Sequence, residues 1–571
     1  MASLLSVEAL AKALSADLLS LGLSAASFGV LSHVSVFRSL PVEEYLDNLL
    51  ILYAVTSVAI GATYLAITDV SFLQALFRLG VIASAFNTGL ASSMGVYRLF
   101  FHRLHRFPGP KLSKLSRFYN AYLVGENLQY HLELKKMHET YGDFIRTGMF
   151  PNHITYLPLC IVRKTAVPLL FSAQSKCNKS TFYAQAQTES KYCNVHHVRD
   201  HDEHRKRRKA WDRAFSIKDS ALATYEPNVG AKADQFIAHV ENNLGQAIDI
   251  SSWAMFLSFD IMGNVGFGKE FNNLTTGVEH PGIKAVHDHM AILGTMSHVP
   301  WLLNLAGRLP GATNALKEFF NWCEDEIVQK QKTWDANEYP TDVISWLLKA
   351  YVEKDVSAAP TATALHEDSR ALLVAGSETT ATTLASVLYF LAKNPAVQRK
   401  LQRQLDEAMP GGASEWSYDK AKSVIYLEDI INETLRLRPA LMTGGYRVTP
   451  AEGLQVDEVY IPGDVNVFVP VQLIQTDERY YSEAKMFVPE RWHEREEMVH
   501  EGAPFLPFLL GPYVCPGKNL ALMSLRISVS KLVQLYDITF APGETGHAFE
   551  TETLDTFTTT LPPLQIQFQR R

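Results

Sequence analysis

The sequence predicts a mainly α-helical domain with small β-sheets, preceded by N-terminal transmembrane helices. Three observations predict it. Long uncharged stretches fill most of the first hundred residues, apolar residues recur at three- and four-residue spacing through the rest, and strand-like runs are short and bounded by turn residues.

Residues 18–37 lie between Asp17 and Arg38, residues 48–68 between Asp47 and Asp69, and residues 79–97 between Arg78 and Arg98. Each approaches the roughly 20 residues an α-helix needs to cross a bilayer. The middle stretch is the most apolar, and the outer two carry Ser, Asn or His33, so two or three crossings are expected. Glu8 and the lack of a basic leading region disfavour a cleavable signal peptide. Arg98, Arg103, Arg106, Lys111 and Lys114 follow, a cluster expected to stay on the cytosolic side. Phe107-Pro108-Gly109-Pro110 should then end the last membrane helix, because proline fixes φ, removes a donor and disfavours helix in the preceding residue. The expected division is a membrane region over 1–106, surrounded by lipid, and a catalytic domain over 107–571.

Within the second part, 365–393 and 396–408 read as helices broken at Pro395, and 424–437 as a helix stopped near Pro439. Strand-like runs occur at 144–146, 459–461 and 465–469, with Pro462-Gly463-Asp464 as a turn signal between the last two. No long linker or repeat interrupts this region, so one domain is expected. A net charge of −7 gives no reason to expect nucleic acid as a partner. The five cysteines, Cys160, Cys177, Cys193, Cys323 and Cys515, are scattered and show no CxxC pairing. That argues against a disulfide framework or a zinc site and points to a reducing compartment.

One cysteine stands in an unusual setting, Phe508-Leu509-Leu510-Gly511-Pro512-Tyr513-Val514-Cys515-Pro516-Gly517. Gly511 and Gly517 permit tight turns and close approach of backbone to a flat ligand, and Pro512 and Pro516 stiffen the loop. A helix is expected from about Lys518, so Cys515 sits before a helix N-terminus, where N–H groups and the dipole favour a thiolate. Such a thiolate is suited to ligate heme iron axially. The stretch resembles the heme-binding loop of the cytochromes P450, in which a Phe, two Gly and the ligand Cys recur at this spacing. One position departs from the pattern. The family usually has Arg or His two residues before the cysteine, to contact a heme propionate, and this chain has Tyr513, which offers a hydroxyl but no charge. Either heme is held less tightly here or other residues compensate. Some fungal-type members also carry Gly-Pro-Tyr at this place.

Further motifs fit the resemblance in order. Ala375-Gly376-Ser377-Glu378-Thr379-Thr380 interrupts a helical pattern with a glycine and hydroxyl residues. A threonine there can bond its own helix backbone and bend it, and a local widening would admit a diatomic ligand. By resemblance Thr379 is the oxygen-activating threonine and Glu378 its acidic neighbour, a pair suited to deliver protons. Glu433 and Arg436 stand at i,i+3, and Pro489-Glu490-Arg491-Trp492 follows downstream, so a structural triad of Glu433, Arg436 and Arg491 is implied. A cationic run from His201 to Lys209 precedes Trp211-Asp212-Arg213-Ala214-Phe215-Ser216. Within it His204 and Arg208, one helical turn apart, align with the family's propionate contacts, as does Arg447. The remaining cations, with Lys518, suit an acidic redox partner.

The resemblance covers about 98–563, includes Phe259-Asp260, and points to fungal microsomal members of secondary metabolism. It implies the P450 fold, a helical prism with heme b (iron protoporphyrin IX) between two helices. Cys515 is the implied iron ligand, with Phe508, Gly511 and Gly517 shaping its loop. It implies monooxygenation of a small apolar organic substrate, with electrons from a separate NADPH-cytochrome P450 reductase. The expected location is the endoplasmic reticulum membrane, with the catalytic domain facing the cytosol. Two other readings stay open at this point: a heme-thiolate isomerase or dehydratase that uses no O2, and a non-catalytic membrane heme protein. The walls of the substrate pocket are expected near 152–187 and 297–305.

Overall fold

The computed structural model describes the chain except residues 1–13, 39–44, 149–157, 185–191, 218–220, 297–298, 300–301, 303–305, 308–309 and 312. The chain divides into two compact units, Met1–Asn120 with Ile145–Leu159, and Ala121–Phe144 with Cys160–Arg571.

The first unit contains three apolar helices. These are α1 (Leu18–Ser32), α2 (Leu46–Ile67) and α3 (Phe72–Val96), with α1 and α3 each prolonged by a wider π turn, His33–Phe37 and Tyr97–Phe101. Counting those turns, all three are long and apolar enough to cross a membrane. Asp17 caps α1 by accepting from the N–H groups of Leu19 and Ser20, each at 3.0 Å. Ser71 and Gln74 form a reciprocal capping box on α3. The third helix therefore begins at Phe72, ahead of the stretch from residue 79 expected from charge alone. Arg78 does not bound it, because its guanidinium reaches the carbonyls of Leu14 and Ala16 at 3.1 and 3.0 Å.

Helices α1 and α3 touch backbone to backbone. A Cβ on Gly29 would lie 2.3 Å from the Phe86 carbonyl oxygen, and one on Gly89 would lie 2.1 Å from that of Ala26. Small residues at such a crossing are what lets membrane helices approach. Gly22 faces Ala85, and His33 Nδ1 lies 2.8 Å from Ser93 Oγ. Contacts thus advance along both helices together, 22 with 85, 26 with 89 and 33 with 93, so α1 and α3 run parallel.

The second unit is mainly helical. The helices that build the site are α4 (His201–Ala214), α5 (Ile250–Ile261), α6 (Pro281–Met296), α7 (Ala362–Lys393), α8 (Ile425–Leu437) and α9 (Lys518–Leu535). Helix α7 is the central one, buried continuously from Ala381 to Ala392 and packed on α5, α8 and α9. Thr361 caps its start, and Asn394 and Pro395 end it as expected.

The sheets are small. Strands β1 (Asn178–Lys179), β2 (Arg447–Val448) and β3 (Asn466–Phe468) pair antiparallel, with Lys179 opposite Arg447 and Arg447 opposite Val467. Strands β4 (Leu554–Thr556) and β5 (Thr558–Thr560) form a hairpin with Phe557 at its tip, and Ala247–Asp249, Gln565–Arg570 and Tyr536–Phe540 form another antiparallel sheet. The strand expected at 459–461 is present, but it pairs with Leu454–Val456 across Asp457-Glu458, not with the strand that follows Pro462-Gly463-Asp464. Asp457 takes the left-handed conformation that a tight two-residue hairpin needs.

One buried ion cluster ties the loops together. Arg436 presents Nε and Nη2 to the two oxygens of Glu433, each at 2.8 Å, and Arg491 Nε donates to Glu433 Oε1 at 3.0 Å. All three side chains are 0% exposed. The Val488 N–H and the Trp492 indole donate to the same carboxylate at 3.0 and 3.2 Å. The remaining guanidinium nitrogens hold the carbonyls of Gln475, Ala484, Met486, Ser482 and Glu483. Removing the carboxylate would strand two buried cations. Glu433→Ala is therefore expected to cost about 3–5 kcal/mol of stability, whereas Glu133→Ala, which breaks the exposed pair with Lys136, should cost under about 1 kcal/mol. Denaturant unfolding of the two variants checks the contrast.

Candidate functional site

Cys515 is exposed, whereas Cys160, Cys177, Cys193 and Cys323 are buried. Its loop is fixed by short backbone bonds: Cys515 N–H to Phe508 O at 2.9 Å, Val514 N–H to Gly511 O at 3.1 Å and Leu509 N–H to Leu506 O at 3.0 Å. Gly511 has φ +64°, and a Cβ there would lie 2.2 Å from the Phe171 carbonyl oxygen, so only glycine fits. Gly517, unlike Gly511, does not use glycine's left-handed freedom. Its φ is −79°, and the nearest atoms to a Cβ, Cys515 Sγ and a Phe215 ring carbon, are both 3.9 Å away. It serves instead as the N-cap of α9, with its N–H turned toward the sulfur. Although solvent reaches Cys515, the protein packed around its sulfur leaves a thiolate poorly solvated and pushes the thiol up, while the N–H groups of Gly517 and Lys518 and the charges of Arg208 and Lys518 pull it back. A bound cationic metal would complete the shift to thiolate.

Two further residues anchor the approach to this loop. Gln475 Oε1 accepts from Leu506 N–H at 2.6 Å, and its Nε2 donates to the carbonyls of Leu435 and Arg436 at 3.2 and 3.0 Å. Tyr481, under the Arg436 guanidinium, donates to Pro504 O at 2.8 Å. Sequence reasoning missed both, because neither belongs to a motif and each acts on a distant part of the chain.

Around Tyr513 the structure gathers positive charge and hydrogen-bond donors. Arg447 and Lys179, paired across β2 and β1, stand 4.7 and 4.8 Å from the Tyr513 ring centre. The His204 ring lies 4.7 Å from it. Arg208 donates to Val514 O at 2.6 Å and to Asp212 at 2.7 Å. Three of the sequence candidates, His204, Arg208 and Arg447, are thus brought together. Lys179 was missed, since only the strand register sets it beside Arg447. The basic run divides by helical face. Arg207 turns inward to Asp368 at 3.0 Å, while Arg205, Lys206 and Lys209 are exposed. Burial holds Lys179 well below its ordinary range and pushes His204 down to about 2, with neighbouring cations adding to both shifts.

Among the described residues Arg447 Nε and Nη2, the Tyr513 hydroxyl and Trp211 Nε1 are buried without hydrogen-bond partners. Buried donors normally have acceptors. Unpartnered donors massed beside mutually repelling cations call for anionic oxygens, and the two carboxylates of heme b fit that demand.

On α7, Thr379 donates to the Ala375 carbonyl at 2.6 Å, the backbone bond expected of it. The expected widening is not present as a break, for the helix runs uninterrupted from Ala362 to Lys393. Gly376 has a packing reason, because a Cβ there would lie 2.4 Å from Met262 Sδ. Glu378 is 3% exposed. Its Oε2 accepts from the Thr558 hydroxyl on β5, and its Oε1 has no hydrogen-bond partner among the described residues. Burial pushes this carboxyl up to about 7, against a smaller downward pull from Thr558. Much of the expected pocket wall, 152–157, 185–187, 297–298, 300–301 and 303–305, lies outside the described residues.

Comparison with known proteins agrees with this geometry. The family profile described as Cytochrome P450 matches residues 108–568. The chain is 38% identical over 483 residues to a cytochrome P450 monooxygenase of Eupenicillium brefeldianum, covering 85% of this chain and 94% of that one. It is 35% identical over 554 residues to a cytochrome P450 monooxygenase of Fusarium pseudograminearum, covering 95% and 96%. The crystal structure of a cytochrome P450 superposes with a TM-score of 0.64 at 19% identity, covering 78% of this chain and 96% of that one, which speaks to the fold. A thiol presented on a rigid open loop, anion-seeking donors beside it and likeness across most of the length have one common explanation: the chain belongs to the cytochrome P450 family, and is an oxidoreductase that binds heme b.

Proposed function

We propose that this protein inserts one atom of O2 into a small apolar organic substrate of fungal secondary metabolism, with electrons from a membrane-bound NADPH-cytochrome P450 reductase. The observation that carries the reading is a solvent-accessible Cys515 on a fixed loop, beside buried donors with no acceptor among the described residues. Bound heme supplies the activation of oxygen and the oxidation of the substrate. Cys515 would bind its iron through the thiolate sulfur, from a loop shaped by Phe508, Gly511 and Gly517. Arg447, Arg208, His204 and Lys179 would hold its carboxylates, and the Tyr513 hydroxyl would add a donor where the family usually has a charge. Their number offsets that substitution, which removes the motive for a weakly held, non-catalytic heme.

Glu378 and Thr379 move protons. Glu378 holds a proton up to about pH 7 because its buried anion is poorly solvated. The Thr379 hydroxyl is anchored on Ala375 O and presents its oxygen lone pairs on another face of α7. An isomerase or dehydratase would have no use for this protonated acid beside an alcohol.

The exposed cations Arg205, Lys206, Lys209 and Lys518 suit an acidic reductase surface. The membrane region comprises 1–106, and the catalytic domain 107–571 faces the cytosol from the endoplasmic reticulum. Parallel packing of α1 on α3 supports three crossings, because α2 must return between them. The N-terminus then faces the lumen.

Replacing Cys515 by Ala is expected to abolish the thiolate-type ferrous–CO spectrum, and its persistence would exclude Cys515 as ligand. With a substrate found by spin-state titration, Thr379→Ala should keep the heme but divert electrons from product to peroxide, read as product formed per NADPH consumed. Stability should show the sign of the Glu378 shift. Its folded pKa is raised from 4.5 to about 7, so wild-type stability falls across that range relative to Glu378→Gln, measured by unfolding at stepped pH. A glycosylation acceptor fused before residue 1 should be modified in microsomes, as three crossings require; an unmodified tag accessible to cytosolic protease would indicate two.

A further inference from the structure

Beside Glu378 lies a cavity of about 100 Å³ whose lining includes neither Thr379 nor Cys515. Ser251, Ser252, Glu279, His287, Glu378 and Thr560 supply much of its polar lining. Its apolar walls come from α5, α6, α7 and the segment after β5. Glu378, Ala381 and Thr382, which share a face of α7, belong to that lining, whereas Thr379 does not. Glu279 at the mouth is exposed and His287 is partly exposed, while Glu378 at the far end is 3% exposed. Glu378 Oε1, unpartnered among the described residues, lies 3.7 Å from His287 Nε2.

We propose that this cavity is the proton inlet of the enzyme, with His287 passing protons from solvent to Glu378. The inference rests on the relay role proposed for Glu378. A volume of this size accommodates several waters, since one needs about 10–15 Å³ of such space. It is polar enough to hold them, with the hydroxyls of Ser251, Ser252 and Thr560 in its lining. A small rotation of His287 brings Nε2 within hydrogen-bond reach of Oε1. In the transfer, the Nε2–H bond of the imidazolium breaks and an O–H bond forms at Glu378 Oε1. The neutral imidazole is then recharged by a proton from the cavity waters. One proton moves inward and no electrons change hands.

The electrostatics support the direction. Burial lowers His287 from its ordinary value, and the carboxylates of Glu279 and Asp288 draw it partly back up. Burial raises Glu378 to about 7. The two shifts run in opposite senses, one easing release of a proton by the imidazolium and the other favouring its uptake by the carboxylate. Asp249, also at the cavity, is engaged by the N–H groups of Ser251 and Leu564 and by the Ser252 hydroxyl.

The test follows the proton on Glu378 and needs no substrate. In the full-length, heme-loaded protein at pH 6, the infrared carboxylic C=O band that vanishes in Glu378→Gln belongs to this residue, and transfer to D2O shifts it as the proton exchanges. Both His287→Phe, which fills the inlet, and His287→Asn, which stays polar but cannot titrate, are expected to slow that exchange at least about tenfold, with an unchanged ferrous–CO spectrum as the check on folding. Exchange as fast as wild type in either variant overturns the proposal, as does the absence of any band assignable to Glu378. Failure of the oxygenase reading is separable, because it would appear as loss of the thiolate spectrum in the wild type, whatever the exchange rate.

Discussion

The carboxylate of Glu433 is the constraint on which the rest of the site depends. Five donors converge on it, from Arg436, Arg491, Trp492 and the Val488 backbone. A buried ion cluster of this kind is weak evidence for stability, since desolvation offsets most of the attraction. Its effect here is geometric. Each guanidinium spends its other nitrogens on loop carbonyls, so one charge centre sets the path of the chain from Gln475 to Trp492. From there Gln475 and Tyr481 pass the constraint to Leu506 and Pro504, where the cysteine loop begins. The sulfur is held by a succession of polar contacts that starts at Glu433, far upstream in the chain.

The second organising feature is an imbalance of charge. Many cations of the catalytic unit are paired in ordinary ways, Arg207 with Asp368 and Lys330 with Asp342 among them. Around Tyr513 the pattern reverses. Lys179, Arg447 and His204 crowd together, and the carboxylate of Asp212 is taken by Arg208. Lys179 and Arg447, opposite each other across two strands, repel in a poorly solvated place, and His204 beside them is kept uncharged by burial and by its cationic neighbours. A fold that tolerates them is prepared for an anion. Tyr513, where the family usually has a basic residue, therefore stands among basic side chains brought in by neighbouring strands, Lys179 and Arg447.

What was legible in the sequence was what acts over short spans. The cysteine loop, the Glu433–Arg436 pair and the inward face of 201–214 each lie within a few turns of chain, and the membrane stretches announce themselves by length and polarity. Arg491 was found because its PERW setting is itself a motif. Lys179, Gln475, Tyr481 and His287 were not found, because each gains its role from a partner far away in sequence, through a strand register or a helix packing that no local pattern encodes. The boundary of α3 was misjudged for a related reason. Arg78 looks like the end of a span until its carbonyl acceptors at Leu14 and Ala16 are known.

Sequence alone pairs Glu378 with Thr379 because they are adjacent, yet adjacency on a helix means a rotation of about 100°. The consequence is visible in α7. Thr379 bonds Ala375, one turn back on its own face, while Glu378 turns with Ala381 and Thr382 toward β5 and the polar cavity. The helix thus works as a partition. One face carries an alcohol, the other carries a buried acid that lines the polar cavity, and the two are separated by a single peptide unit. A carboxyl that burial keeps protonated up to about pH 7 is thereby set apart from the face that carries the Thr379 hydroxyl. Gly376 belongs to the same device. It lets α7 lie tightly on Met262, which holds the partition in place without crowding either face.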